Sequence, residues 1–458
     1  MRDQRVWIGT FLIGLLMVTI LLIGGSAIHP AQAGAPGQPR NVILMIGDGM
    51  GPAQVELARR FAPGRVLAMD RLDPNPDLMS HDNIYGEVTD SAASATAMAT
   101  GQKTYNGAMS VDVAGNPLET VWERAEAHGK ATGIVSSVFL IDATPGVWAA
   151  HAADRYQYSS IANQQALGLG TWQDRLDGVE VLLGAGAAYY KPQGANGTGE
   201  INLINELKAR GYEYVRKATE LRSATAPKDR LLGFFGGVAM TYVLNRPIKA
   251  NLTEPTLAEM TAKAIDILRR DADGFFLVVE GGAIDWTAHK EDAAGTLHEV
   301  VAFDEAIAVA SAFAAASGDT LLVVTADHET GGLDLGTNPN LEFIAGISAT
   351  TDLIWAAIEG GMTVETAMRT YAGIGDVWPG LTAAEKGVIR ACGGDLGIAD
   401  VLSARAGVSW GWGGCEGAHH TATKVQVFAA GSGAGQFDGS DLDNTDIGER
   451  LFVAVSTD

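Results

Sequence analysis

The sequence is short of cysteine and of positive charge, and each shortage excludes something. Two cysteines in 458 residues, Cys392 and Cys415, allow at most one disulfide. Both fall late in the chain, so a single disulfide is expected there, with two free thiols or Cys415 as a metal ligand as the alternatives. Closing a loop of that size would contribute about 3 kcal/mol in the chain-entropy account. Lysine and arginine number 32 against 54 aspartates and glutamates, a formal charge of −22. Such a surface repels nucleic acid and anionic membranes, and no basic patch opposes it, so no nucleic-acid binding is expected. An anionic substrate would have to be attracted locally, by bound metal ions and a placed arginine.

The N-terminus reads as a targeting segment. Arg2 and Arg5 precede an apolar run from Val6 to Ile23, and Ala31, Gln32 and Ala33 fit a small-residue cleavage signal. Residues 1–33 are therefore expected to be a signal peptide or an N-terminal membrane anchor, the anchor using residues 6–28. Either places the protein outside the cytoplasm, in a periplasmic or extracellular setting.

From Asn41 the chain follows a repeated grammar. The apolar run NVILMI leads to Gly47, Asp48 and Gly49, and then to a helical pattern. Apolar runs at 133–137, 179–183, 275–279 and 321–325 recur, with helical stretches at 119–128, 201–210, 254–270 and 298–316. Alternation of this kind predicts an α/β fold, a large mostly parallel central sheet with helices on both faces. Ligands of such sheets gather at the carboxyl ends of the strands. Asp48, Asp142, Glu280 and Asp327 are all expected at that rim. A turn or helix-cap role explains any one of them; four together point to metal binding.

Other residues sharpen this. In VTDSAASATAMATG, Ser91 precedes a run of tiny residues that reads as a close-packed helix. A serine in the first turn faces unpaired N–H groups and the positive end of the dipole, a setting for phosphate and for a nucleophilic oxygen. The plainer alternative is an N-cap. Asp285 and His289 are spaced i,i+4, on one face if that segment is helical. Asp327 is followed at once by His328, and His419 and His420 precede a late apolar strand. Jointly these supply the N and O ligands that zinc takes, with open positions for substrate. Beyond Asp142, a helical stretch is expected to carry Arg155 about three turns on, where a guanidinium would grip two phosphoryl oxygens.

Taken in order, NVILMIGDGMG, VTDSAASATAMATG, DATP with its arginine, FFLVVEGGAIDWTAH, TADHETGG and the late HHT resemble the alkaline phosphatases, over Asn41 to about Asp446. The resemblance implies three ions. Asp285, His289 and His420 match a first zinc site, with His420 taken over His419 because it directly precedes Thr421. Asp48, Asp327, His328 and Ser91 match a second zinc site. Asp48, Thr144 and Glu280 match a magnesium site, with Asp142 holding its water shell. The implied reaction is hydrolysis of phosphate monoesters through a phosphoserine on Ser91, with Arg155 and the zinc pair on the phosphoryl oxygens. Zinc beside Ser91 would lower the hydroxyl pKa without a histidine base. The family is usually homodimeric, and phosphate scavenging is the implied role.

Two positions depart from many relatives. Asp142 stands where histidine is common, which favours a hydrated, hard ion such as magnesium at the third site. Trp286 stands where some relatives have lysine. Residues 341–415 match no usable motif and are expected to be a cap-like insertion, with a helix near Thr382–Ala391. Sulfatases need C-x-P-x-R or S-x-P-x-R, which is absent around Ser91. Diesterases commonly use threonine as nucleophile. A superfamily phosphodiesterase and a tethered phosphate- or metal-binding protein without turnover remain the rival readings.

Overall fold

Six consecutive buried residues, Asn41–Ile46, form β1. Neighbouring strand residues point to opposite faces, so an unbroken buried run requires both faces of the sheet to be covered. The computed structural model describes residues 38–168, 178–191, 202–412, 414–439 and 441–456. Residues 1–33, where a signal peptide or anchor is expected, lie outside the described residues.

The remaining strands are β2 (Asp77–Ser80), β3 (Ala131–Phe139), β4 (Val181–Ala185), β5 (Glu213–Val215), β6 (Leu231–Phe234), β7 (Phe275–Glu280), β8 (Thr320–Thr325), β9 (Glu329–Thr330), β10 (His420–Thr421), β11 (Val425–Gly431) and β12 (Leu442–Asp443). Ten of them make one sheet in the order β12-β2-β11-β8-β1-β7-β3-β4-β6-β5. It is mostly parallel, as the sequence grammar predicts. The exception is β11, which runs antiparallel to both β8 and β2. β7 and β8 are, like β1, buried throughout.

The chain crosses from β1 to β7 on one side and to β8 on the other, both parallel. Ile46 is level with Glu280 on one neighbour and with Thr325 on the other, and Glu280 is level with Ser136 of β3. Matching register brings the four strand ends to one rim, at the point where strand order reverses.

Ser91–Thr100 is a helix buried at every position. The helix Asn444–Val455 packs against it. The two backbones approach so closely that a Cβ on Gly448 would stand 2.5 Å from Gly101 N. This is why the run after Ser91 holds almost nothing larger than threonine. The helix Ala293–Ser317 packs against the helix Leu257–Leu268 and against β8.

One expected element is absent. The helix after Asp142 stops at Ala143–Gly146, a single turn, and does not reach Arg155. Backbone pairing of Ala152 with Met109, through hydrogen bonds of 2.8 and 2.9 Å, pulls the chain out of helix and carries Arg155 on a loop. Within 341–415 lie helices Leu341–Ala345, Thr351–Glu359, Val364–Ala372, Ala383–Cys392 and Asp395–Ala406. Cys392 and Cys415 are joined as a disulfide, with Cα atoms 4.8 Å apart.

Candidate active site

Asp48 follows β1 in a turn that Gly49 makes possible. Gly49 has φ +70°, and a side chain there would strike Thr330 Oγ1 and Asp285 within 2.9 Å. Asp90, not Ser91, is the N-cap: its Oδ1 accepts Ala93 N–H at 2.9 Å. That leaves Ser91 as the first helical residue, with its hydroxyl uncommitted to the backbone. Ser91 Oγ lies 3.1 Å from His328 Nε2 and is almost fully buried.

Two groups of potential ligands converge here. Asp285 and His289 share a face of the helix Ala283–His289, and antiparallel pairing of β10 with β9 brings in His420. Asp285 Oδ1 is 3.3 Å from His289 Nε2 and 3.6 Å from His420 Nε2, and the two nitrogens are 3.1 Å apart. In the second group, His328 Nε2 stands 3.3 Å from Asp327 Oδ2 and 3.5 Å from Asp48 Oδ1. Asp285 reaches both groups, which the sequence reading did not anticipate. His419 is exposed, its ring against Trp412, whereas His420 stacks on His328 at 3.6 Å.

The protons can be assigned from the outer partners. His289 Nδ1 donates to Ala418 O at 2.6 Å, and His420 Nδ1 donates to Thr89 O at 2.9 Å. In neutral rings each Nε2 then presents a lone pair, and two lone pairs 3.1 Å apart beside a carboxylate oxygen repel unless a cation lies among them. Thr330 does the same for His328. Its hydroxyl donates to Asp285 Oδ1 at 2.5 Å, so His328 Nδ1, 3.2 Å away, must be the donor to it. Thr330 and its neighbour Glu329 were not singled out from sequence. Glu329 accepts from Gln54, the backbone of Gly332 and Thr421, tying β9 and β10 to the helix after Asp48. A polar pair immediately following Asp327 and His328 was the available signal.

Thr144 Oγ1 donates to Asp48 Oδ2 at 3.2 Å and is 3.4 Å from Asp327 Oδ2. Glu280 Oε2 accepts from Ser136 Oγ, while Glu280 Oε1 and Asp48 Oδ1 are buried with no hydrogen-bond partner among the described residues. Asp142 caps its short helix and accepts from Arg155 Nη2 at 3.1 Å; Arg155 Nη1 donates to Asp90 Oδ2, also at 3.1 Å. Among the described residues, no third close group of ligand atoms forms around Glu280. Trp286 lies beside Phe139, ring centroids 5.9 Å apart.

The electrostatics carry the same message. Burial, then repulsion from Asp327, Asp285, Glu280 and Asp142, pushes Asp48 well above the usual carboxylate range. Burial and Asp285 raise Asp327 to about 7, and burial raises Glu280 and, against the pull of Arg155, Asp142. Burial pulls His328 and His420 down, keeping their rings neutral. Crowded acids that resist ionisation and neutral imidazoles with inward lone pairs are the donor set a divalent cation satisfies. The orphaned oxygens of Asp48 and Glu280 fit the same need.

Fold and donor set together define a class: an α/β protein with a mostly parallel sheet that gathers potential divalent-metal ligands around a buried serine. Comparison with known proteins makes this specific. The family model for alkaline phosphatase matches residues 39–457. Alkaline phosphatase 4 of Bacillus subtilis (strain 168) is 33% identical over 436 residues, covering 91% of this chain and 89% of that one. The crystal structure of a cold-active alkaline phosphatase from the psychrophile Shewanella sp. matches with TM-score 0.77 and 32% identity, covering 91% and 99% of the two chains. A histidine-to-aspartate variant of TAB5 alkaline phosphatase, with Mg bound in its M3 site, matches with TM-score 0.66 and 25% identity over 93% and 100%. The chain belongs to the alkaline phosphatase family, and its family and fold support hydrolysis of phosphate monoesters.

Proposed function

We propose that this enzyme hydrolyses phosphate monoesters through a phosphoserine on Ser91, with two zinc ions and one magnesium ion, and releases phosphate outside the cytoplasm. The observation that carries the reading is the meeting of Ser91 Oγ with His328 Nε2 at 3.1 Å, amid buried acids whose mutual repulsion pushes Asp48 well above the usual carboxylate range. Asp285, His289 and His420 would hold the first zinc, and Asp48, Asp327, His328 and Ser91 the second. Asp48, Thr144 and Glu280 would hold magnesium, with Asp142 on its water shell. Bound there, the cations supply Lewis-acid stabilisation of the attacking and leaving oxygens and lower the pKa of a coordinated hydroxyl.

The remaining work belongs to the chain. Asp90 fixes the helix start so that Ser91 Oγ faces the phosphorus. Arg155, held by Asp90 and Asp142, presents its fork to the phosphoryl oxygens, where charge is spread in the transition state. Burial alone would weaken its charge, but Asp142 and Asp90 outweigh this and keep it protonated. The Ser91 oxygen forms the new P–O bond as the alcohol departs, and water then releases phosphate from the serine. Magnesium at the third site draws support from Asp142, since the TAB5 variant with aspartate replacing a histidine has Mg bound in its M3 site.

The export reading rests on the leader-like segment, and the Cys392–Cys415 disulfide suits an oxidising compartment. A homodimer, a signal peptide or N-terminal membrane anchor at residues 1–33, and a cap-like role for residues 341–415 complete the proposal. The test is a panel of esters with one aryl leaving group, given to the metal-loaded protein. Monoester turnover far above that of the diester and the sulfate ester supports the proposal; preference for the diester or sulfate refutes it, and binding without turnover makes the protein a phosphate or metal binder.

A further inference from the structure

Beside the segment that joins Glu280 to Asp285, a cavity with an empty volume of about 590 Å³, part of it open to solvent, is lined by Gly281, Ala283 and residues of the helix Ala293–Ser317. None of its lining residues is a candidate ligand or nucleophile of the reaction. Met240, Leu257 and Met260 give it an apolar wall. Glu299 lines it too and is only 6% exposed.

The hydrogen bonding of Glu299 is half complete. Oε1 accepts Val243 N–H at 2.7 Å, and Oε2 has no partner among the described residues. Oε2 is not sealed from solvent, so a donor that enters the cavity can reach it. The single cation of the lining, Arg246, attracts Glu299 through space but makes its close contacts with Glu254. Its Nη2 donates to Glu254 O at 2.7 Å, and Nη1 stands 3.7 Å from Glu254 Oε2. Glu305 adds a second carboxylate at the exposed rim. Carboxylates also surround the neighbouring phenol: burial, followed by repulsion from Asp352, Glu299, Asp292 and Asp285, pushes Tyr242 upward.

We propose that this cavity binds a small organic ammonium ion, whose N–H groups donate to Glu299 Oε2 while a short apolar body lies against Met240, Leu257 and Met260. A cation completes the bonding of Glu299 as a charge-assisted pair, and the thioethers and Leu257 adapt to a single ring or short chain. The inference stands apart from the phosphoserine reading, because the two sites share no side chain.

The test is calorimetric titration of the metal-loaded full chain with benzylammonium, alongside uncharged benzyl alcohol, with and without saturating inorganic phosphate. Saturable binding of the ammonium is expected, unchanged by phosphate and at least tenfold tighter than that of the alcohol. Glu299→Gln, which keeps an acceptor for Val243 N–H, is expected to lose at least tenfold. Ala302→Leu, which fills the cavity from its wall, is expected to block binding independently. Absence of binding, equal affinity for the alcohol, displacement by phosphate, or full affinity in both variants overturns the proposal.

Discussion

Replacing Thr330 by valine should loosen the metal site without disturbing its shape. Thr330 is fully buried on β9, and its one hydroxyl joins the two ligand groups: it donates to Asp285 at 2.5 Å and receives His328 Nδ1–H at 3.2 Å. Thr330→Val keeps the branched side chain and removes that oxygen. His328 Nδ1–H is then buried without an acceptor, at a cost of about 1–3 kcal/mol. The imidazole can escape the cost by moving its proton to Nε2, but that removes the lone pair facing Ser91 and Asp48. Loss of such an outer partner weakens metal binding by about 10- to 100-fold, or roughly 1.4–2.8 kcal/mol. Competition for Zn²⁺ against a chromophoric chelator reads this directly, with circular dichroism checking the fold. Thr330→Ser restores the hydroxyl and should restore affinity. Unchanged affinity in the valine variant, or equal loss in the serine variant, refutes the reasoning.

Chelating the metals should make stability fall with rising pH. The folded apo-protein holds Asp327 at about 7 by burial and repulsion from Asp285, above its ordinary value of 3.8. Stability from the protonated form is full below the unfolded value and lost as pH rises through 7. Thermal melts at pH 6 and pH 9 should therefore diverge for the apo-protein and converge once metal is restored. Glu299→Gln should stabilise the protein at alkaline pH: burial lifts this carboxyl from 4.5 to about 7, equivalent to about 3 kcal/mol at most. The gain, read from denaturant melts, should be full above pH 7 and vanish below the unfolded value. Arg155→Lys keeps the charge but loses the fork that bridges Asp90 and Asp142. It should raise KM for monoesters and weaken inhibition by inorganic phosphate, each by about tenfold, with a smaller change in kcat.

The strand ends carrying Asp48, Glu280 and Asp327 were legible because parallel, doubly covered strands read as unbroken apolar runs, and an acid after such a run stands out. The Asp285–His289 pair was equally plain, since helical spacing alone sets two side chains on one face. Arg155 was placed by local helical pattern, but a long-range bridge from Met109 overrode it. The direction of β11 was hidden for a related reason: an apolar run does not disclose which neighbour it joins. Glu329 and Thr330 were passed over because their importance lies in partners more than forty residues away, Asp285 and Thr421 among them. The cavity around Glu299 left no trace in sequence, where that residue is one acid in a helical stretch.

The most direct measurement stops the metal-loaded enzyme with acid during monoester turnover, digests it, and finds the phosphoryl group by mass spectrometry. The account predicts phosphate on the peptide at Ser91, and loss of both adduct and activity in Ser91→Ala. A phosphoryl group on another residue, or a Ser91→Ala enzyme that keeps full activity, would contradict it.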